Sequence, residues 1–203
     1  MIRLAVLASG RGSNLQAIID AVGRGELPVK LVLVLSDNPR AQALERARTA
    51  GIPTVVVRRE DYRSRRDFNL EILRWLRRYQ VDLVALAGYM RVLSPEVVRA
   101  YPNRIMNIHP SLLPAFPGLE AQRQALEYGV KVTGCTVHFV DEGVDTGPII
   151  IQRAVPVRED DTVESLSGRI LEQEHQIYPE AIRLFATGRL RVEGRRVRVL
   201  EEG

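Results

Sequence analysis

The segment Asn107-Ile108-His109-Pro110-Ser111-Leu112-Leu113-Pro114 holds the residue types best suited to chemistry in this chain. Pro110 disfavours the helical region for His109, so the backbone there is extended. On an extended segment residues two apart face the same side, so Asn107 and His109 point together while Ile108 turns to the core. An amide donor beside an imidazole suits a carbonyl oxygen that becomes negative as an acyl group is transferred. Downstream, Asp141-Glu142-Gly143-Val144-Asp145-Thr146-Gly147 forms a tight acidic loop. An aspartate brought against His109 would orient an imidazolium. It would also accept, directly or through water, the proton that an attacking amine must lose.

A third candidate precedes these. After the apolar run Ile2 to Ala8 comes Ser9-Gly10-Arg11-Gly12-Ser13-Asn14, then a helix expected over Asn14 to Val22 with Ser13 as its cap. Glycines let the backbone approach a ligand, and the first amides of a helix attract phosphate. The GKS/T ending of a P-loop is missing, and Leu15 stands at the third glycine position of GxGxxG. The spacing therefore points to phosphate without naming a ligand, and a plain strand-to-helix turn is the alternative. His138 and His175, inside a predicted strand and a predicted helix, read as structural or supporting groups. Cys135, with no adjacent base, reads as core. Asp141, Glu142 and Asp145 lack the spacing of calcium or zinc ligands, so no metal is expected.

These residues need a frame. Continuous apolar runs at Ile2 to Ala8, Val29 to Leu35, Val55 to Val57, Leu83 to Ala87 and Ile105 to Ile108 read as strands buried on both faces. Between them, Asn14 to Val22, Pro39 to Ala50 and Arg65 to Tyr79 read as helices, the second punctuated by Pro39 and Gly51. This alternation predicts an α/β fold with a doubly wound, mostly parallel sheet and right-handed crossovers. His109 then sits at the carboxyl end of a strand, where open α/β sheets place ligands. The second half predicts strands over Val132 to Val140 and Pro148 to Val157, and a helix over Thr162 to Ala186 that Pro179 ends or kinks. A hairpin around Glu193-Gly194 completes an antiparallel C-terminal edge. Absence of repeats and linkers predicts one catalytic domain over 1–203.

Composition restricts the function classes. The net charge is +4, the pI is about 9.6, and lysine occurs only at Lys30 and Lys131. Acidic residues interleave with the arginine runs, which favours solvated faces over a nucleic-acid footprint, so no nucleic-acid partner is expected. A basic surface also suits small anionic substrates. One cysteine allows no internal disulfide, which fits a reducing, cytoplasmic compartment. No segment approaches the roughly 20 apolar residues of a membrane span.

The stretches Gly12-Ser13-Asn14-Leu15-Gln16-Ala17-Ile18, Leu86 to Pro95, Asn107 to Pro114, Val144-Asp145-Thr146-Gly147-Pro148-Ile149 and Gln173-Glu174-His175 occur in one order. Together they resemble the phosphoribosylglycinamide formyltransferases of purine synthesis, within the wider formyltransferase superfamily, from the first strand to about Leu190. The resemblance implies a Rossmann-like formyltransferase fold and transfer of the formyl group of 10-formyltetrahydrofolate to phosphoribosylglycinamide. It implies Asn107, His109 and Asp145 as the catalytic trio. Gly12, Ser13 and Asn14 would hold the ribotide phosphate, with Glu174 on its ribose or glycinamide side. Arg65, Met90, Arg91, Val92 and Leu93, with Asn107 and the stretch Asp141, Glu142, Gly143, Val144 and Asp145, would meet the folate. Residues 1–100 would form a phosphate-binding half, and 101–203 a folate-binding and catalytic half. A homodimer would fit the family.

Two relatives share the catalytic segment. Formyl-methionyl-tRNA transferase carries a C-terminal RNA-binding domain, and formyltetrahydrofolate deformylase an N-terminal regulatory domain. A chain running from Ile2 to a hairpin ending at Gly203 is expected to have neither. A non-catalytic nucleotide-binding module would leave Asn107 and His109 unexplained.

Overall fold

Strands of unbroken Val, Leu, Ile and Ala are stable only where both faces are covered. In the computed structural model, which describes residues 1–203, such strands form the first of two compact units, Met1–Asn107 and Ile108–Gly203. In the first unit β1 (Ile2–Leu7), β2 (Val29–Ser36), β3 (Thr54–Val56), β4 (Leu83–Leu86) and the first three residues of β5 (Ile105–His109) pair in parallel, in the order β3-β2-β1-β4-β5. Leu4, Val6, Leu33, Val34, Leu83 and Val84 are fully buried. The chain runs outward from β1 to β3, then returns to β1 at β4. That reversal is a switch point, where the loops after two neighbouring strands diverge and leave a crevice.

The helices of this unit are α1 (Ser13–Gly23), α2 (Gln42–Thr49), α3 (Arg65–Arg78) and α4 (Pro95–Ala100). The α3 stripe Phe68, Ile72, Leu73 and Leu76 is buried, and Ser64 caps it by accepting the Asp67 N–H at 3.0 Å. Two expectations need correction. Ser13 is not the cap of α1 but its first residue. Gly12 is the cap, in the left-handed region at φ 74°, and no side chain caps the helix. The second helix begins at Gln42 rather than Pro39, because Asn38 opens a turn whose side-chain oxygen accepts the Arg40 N–H at 3.0 Å.

The second unit joins β6 (Val132–Phe139) and β7 (Ile149–Pro156) as antiparallel neighbours, followed by α6 (Val163–Ala186), β8 (Leu190–Glu193) and β9 (Arg196–Val199). Helix α6 packs on β6 and β7. It opens with a reciprocal box in which Thr162 Oγ1 accepts the Ser165 N–H at 3.1 Å and Ser165 Oγ accepts the Thr162 N–H at 2.9 Å. Pro179 does not end this helix, which runs seven residues further. Proline removes one backbone donor, but Ile177, Tyr178, Ala181 and Ile182 are fully buried around it, and their burial outweighs the lost bond. Helices α4 and α5 (Ala121–Tyr128) span six and eight residues, too short to display a periodic stripe in sequence. No helix is long and apolar enough to cross a membrane.

Candidate active site

His109 ends β5, and its ring is nearly enclosed. Its Nε2 lies 2.8 Å from the Phe116 carbonyl oxygen. A carbonyl can only accept, so Nε2 carries a proton. The other nitrogen, Nδ1, faces Asp145 Oδ2 at 3.6 Å, with side-chain exposures of 6% and 12%. Asp145 is held by its own backbone, in the left-handed region at φ 55°, and by the Gly118 N–H, which donates to Oδ2 at 2.8 Å. Its second oxygen lies 4.0 Å from His138 Nε2. His138 donates from Nδ1 to the Phe139 carbonyl at 2.9 Å. Burial pushes its pKa below the ordinary imidazole value, against the smaller upward pulls of that bond and of Asp145. One carboxylate therefore stands beside two imidazoles. Each ring donates from the nitrogen far from Asp145, His109 to the Phe116 carbonyl and His138 to the Phe139 carbonyl.

The turn after His109 is fixed onto the neighbouring strands. Thr136 Oγ1 donates to the Ser111 carbonyl at 2.7 Å, and Gln152 Nε2 donates to the Leu113 carbonyl at 2.8 Å. Ser111 Oγ donates to the Ala115 carbonyl at 2.6 Å and shares the Phe116 carbonyl at 3.2 Å. In the acidic loop, Asp141 is used internally. Its Oδ1 accepts the Gly143 N–H at 2.9 Å and the Thr146 hydroxyl at 2.6 Å. Gly147 closes the loop where a Cβ would run into the Phe139 carbonyl oxygen. Glu142, Gly143 and Val144 are exposed, and Glu174 on α6 is buried.

In the first unit, the glycine loop is tied down from β2 and α2. Ala43 N–H donates to the Gly10 carbonyl at 3.1 Å, Arg46 Nε to the Arg11 carbonyl at 2.7 Å and Asn38 Nδ2 to the Ser9 carbonyl at 3.3 Å. Holding the Arg11 carbonyl with a guanidinium turns the Gly12 N–H to the opposite side, because a trans peptide points its two groups apart. Gly12 packs so closely that an added Cβ would lie 2.7 Å from Ala43 Cβ. Ser13 is half-buried and Asn14 buried at the start of α1.

The same unit holds a cleft of about 480 Å³ lined by Arg59, Arg65, Phe68, Met90, Arg91 and Val92. Met90 and Val92 are well exposed and Leu93 is buried. Arg65 donates from Nη2 to the Val92 carbonyl at 2.9 Å. The buried Asn69 donates to the Arg65 carbonyl at 2.8 Å and accepts the Ser94 N–H at 2.9 Å. Arg91 stacks 5.7 Å above the Phe68 ring and pairs with Asp37. Sequence reasoning singled out neither Asp37 nor Asn69, nor the Phe116 carbonyl and the Gly118 N–H. A main-chain partner has no sequence signal at all, and Asn69 differs in no visible way from a solvated helical asparagine.

The formyl transferase family matches residues 2–182. Phosphoribosylglycinamide formyltransferase of Bacillus subtilis (strain 168) is 45% identical over 183 residues, 90% of this chain and 94% of that protein. The crystal structure of glycinamide ribonucleotide transformylase 1 from Symbiobacterium toebii superposes with a TM-score of 0.98 at 61% identity, covering 99% of this chain and 95% of that one. The trifunctional purine biosynthetic protein adenosine-3 of Drosophila melanogaster is 52% identical over 188 residues, and the chain spans only 14% of its length. By the family match over residues 2–182 and these near full-length likenesses, this chain belongs to the formyl transferase family.

Proposed function

We propose that the chain transfers the formyl group of 10-formyltetrahydrofolate to the amine of 5-phosphoribosylglycinamide, giving the N-formyl ribotide and tetrahydrofolate in cytoplasmic purine synthesis. The observation that carries this reading is the 3.6 Å approach of Asp145 to His109, in a chain matching a bacterial phosphoribosylglycinamide formyltransferase over 94% of that protein's length. Residues 1–203 act as one catalytic domain, without metal or nucleic acid, and two copies form a homodimer. Gly12, Ser13 and Asn14 take the phosphate and Glu174 the ribose or glycinamide side. Arg65, Met90 to Leu93 and Asp141 to Asp145 take the folate.

The amine nitrogen attacks the formyl carbon, and the carbonyl electrons move to oxygen. Asn107 and His109 donate to that oxygen. In the free chain the His109 Nε2–H is spent on the Phe116 carbonyl, so an entering formyl oxygen takes over that donor. Phe116 is not stranded by the exchange, because the Ser111 hydroxyl also reaches its oxygen. Asp145 holds the ring and accepts, through water, the proton lost by the amine. The bond from carbon to the folate nitrogen then breaks as that nitrogen gains a proton.

The test is turnover of 10-formyltetrahydrofolate with and without the ribotide. Turnover only with the ribotide is expected. Hydrolysis without it would indicate a deformylase, and no turnover a binding module. His109→Ala should lower kcat by at least about 10² while the chain stays folded.

A further inference from the structure

One buried hydroxyl ties the loops after β1 and β4 across the switch point of the first unit. Ser9 continues the ladder, its N–H donating to the Gly88 carbonyl at 3.1 Å. Its Oγ accepts the Met90 N–H at 2.9 Å and donates to Asp37 Oδ1 at 2.6 Å. Asp37 Oδ2 accepts Arg91 Nε at 2.9 Å. Because Met90 and Arg91 are adjacent, these bonds close a ring that grips one loop by its main chain and its side chain at once. The Ser9 and Asp37 side chains are largely shielded, which strengthens such bonds. Burial, with the Asp37 charge second, pushes the Tyr89 phenol above its ordinary range.

We propose that Asp37, acting through Ser9 and Arg91, is a positioning residue that sets the Met90–Leu93 main chain for the folate, a role resting on the function proposed above. Asp37 reaches the glycine loop only through the side chain of its first residue, Ser9, and not through the main chain of Gly10 to Asn14. The loop's main-chain ties run through Asn38, Ala43 and Arg46. Loss of the carboxylate therefore disturbs one ligand and spares the other. Asp37→Ala frees the Ser9 hydroxyl to rotate and leaves Arg91 without its partner. Asp37→Asn keeps an acceptor for the Ser9 hydroxyl, and so the leg to the Met90 N–H, and gives up the charge of the leg to Arg91, whose side chain is 41% exposed and screened by solvent.

The experiment compares wild type, Asp37→Ala, Asp37→Asn and Ser9→Ala by steady-state kinetics in both substrates. Hydrogen exchange over residues 88–94 is followed in the free proteins. Asp37→Ala and Ser9→Ala should raise KM for the formyl folate about tenfold, the size of the loss of a hydrogen bond to a charged group. KM for the ribotide should stay within about twofold, Asp37→Asn should return to within about threefold of wild type, and exchange at the Met90 amide should quicken in the first two variants. A general structural role would instead move both KM values and the melting temperature together, and that pattern, or unchanged folate KM in Asp37→Ala, overturns the proposal. Wild type that shows no ribotide-dependent turnover would overturn the activity alone. The exchange measurement would then decide whether Asp37 orders the loop, and unchanged exchange would overturn that too.

Discussion

Replacing Gly12 by alanine tests the glycine loop most directly. Two costs can be read from the structure. Gly12 has φ 74°, where an L residue with a Cβ loses about 1–2 kcal/mol. The new Cβ would also lie 2.7 Å from Ala43 Cβ and 2.8 Å from Ala43 Cα. The second atom belongs to the backbone of α2, whose neighbours Leu44 and Ala47 are fully buried. That side cannot retreat freely, and overpacking of this kind costs typically about 1–3 kcal/mol. The sum, about 2–5 kcal/mol, corresponds to a fall in melting temperature of roughly 5–15 °C for a chain of this size. The chain can lessen the clash only by moving the Arg11–Gly12 peptide, and so the amides proposed to hold phosphate. Calorimetry should show the lower melting temperature, and kinetics a rise in KM for the ribotide of at least about tenfold, since each factor of ten is about 1.4 kcal/mol. KM for the folate should change little. A Gly12→Ala protein with wild-type melting and an unaltered ribotide KM would refute both the packing argument and the phosphate assignment.

Other outcomes follow from the same geometry. Asp145→Asn keeps an acceptor for the Gly118 N–H, so the protein should fold normally, while kcat falls by about 10²–10³ through loss of the carboxylate beside His109. For His138, burial depresses the folded pKa below the ordinary 6.5. Below pH 6.5 the unfolded chain takes up a proton that the folded one resists, so this histidine should make stability fall as pH drops from 6.5 to its folded value. Denaturation curves of His138→Gln between about pH 5 and 7.5 should show a weaker pH dependence than wild type; identical slopes would remove the histidine from the account. Burial pushes the Cys135 thiol up to about 12, so the native protein should resist a thiol reagent such as DTNB at pH 8, and the denatured chain should react once.

Much of the framework was legible in the residues. Apolar runs without alternation demanded strands covered on both faces, and β1, β2 and β4 lie within a residue or two of the expected positions. The same strand geometry placed His109 at a carboxyl end. Helix ends were less legible. Whether Ser13 or Gly12 caps α1 depends on how close α2 approaches, and Pro179 stays within α6 because of what is buried around it. The first is decided by Ala43, remote in sequence, and the second by the packing of the helix that carries Pro179 onto β6 and β7.

The apolar character and order of residues along one strand are local properties, so the sequence alone determined the buried strands, the glycine turn and the place of His109 at a strand end. Contacts across many residues are another matter. Asp145 reaches His109 only because an unusual backbone at φ 55° and a main-chain donor from Gly118 aim it there. The proton on His109 Nε2 is fixed by the carbonyl of Phe116, and Ser9 finds Met90 across 81 residues. Main-chain groups are the same at every residue except for the missing N–H of proline, so which of them meets a given side chain is settled only when the chain has folded.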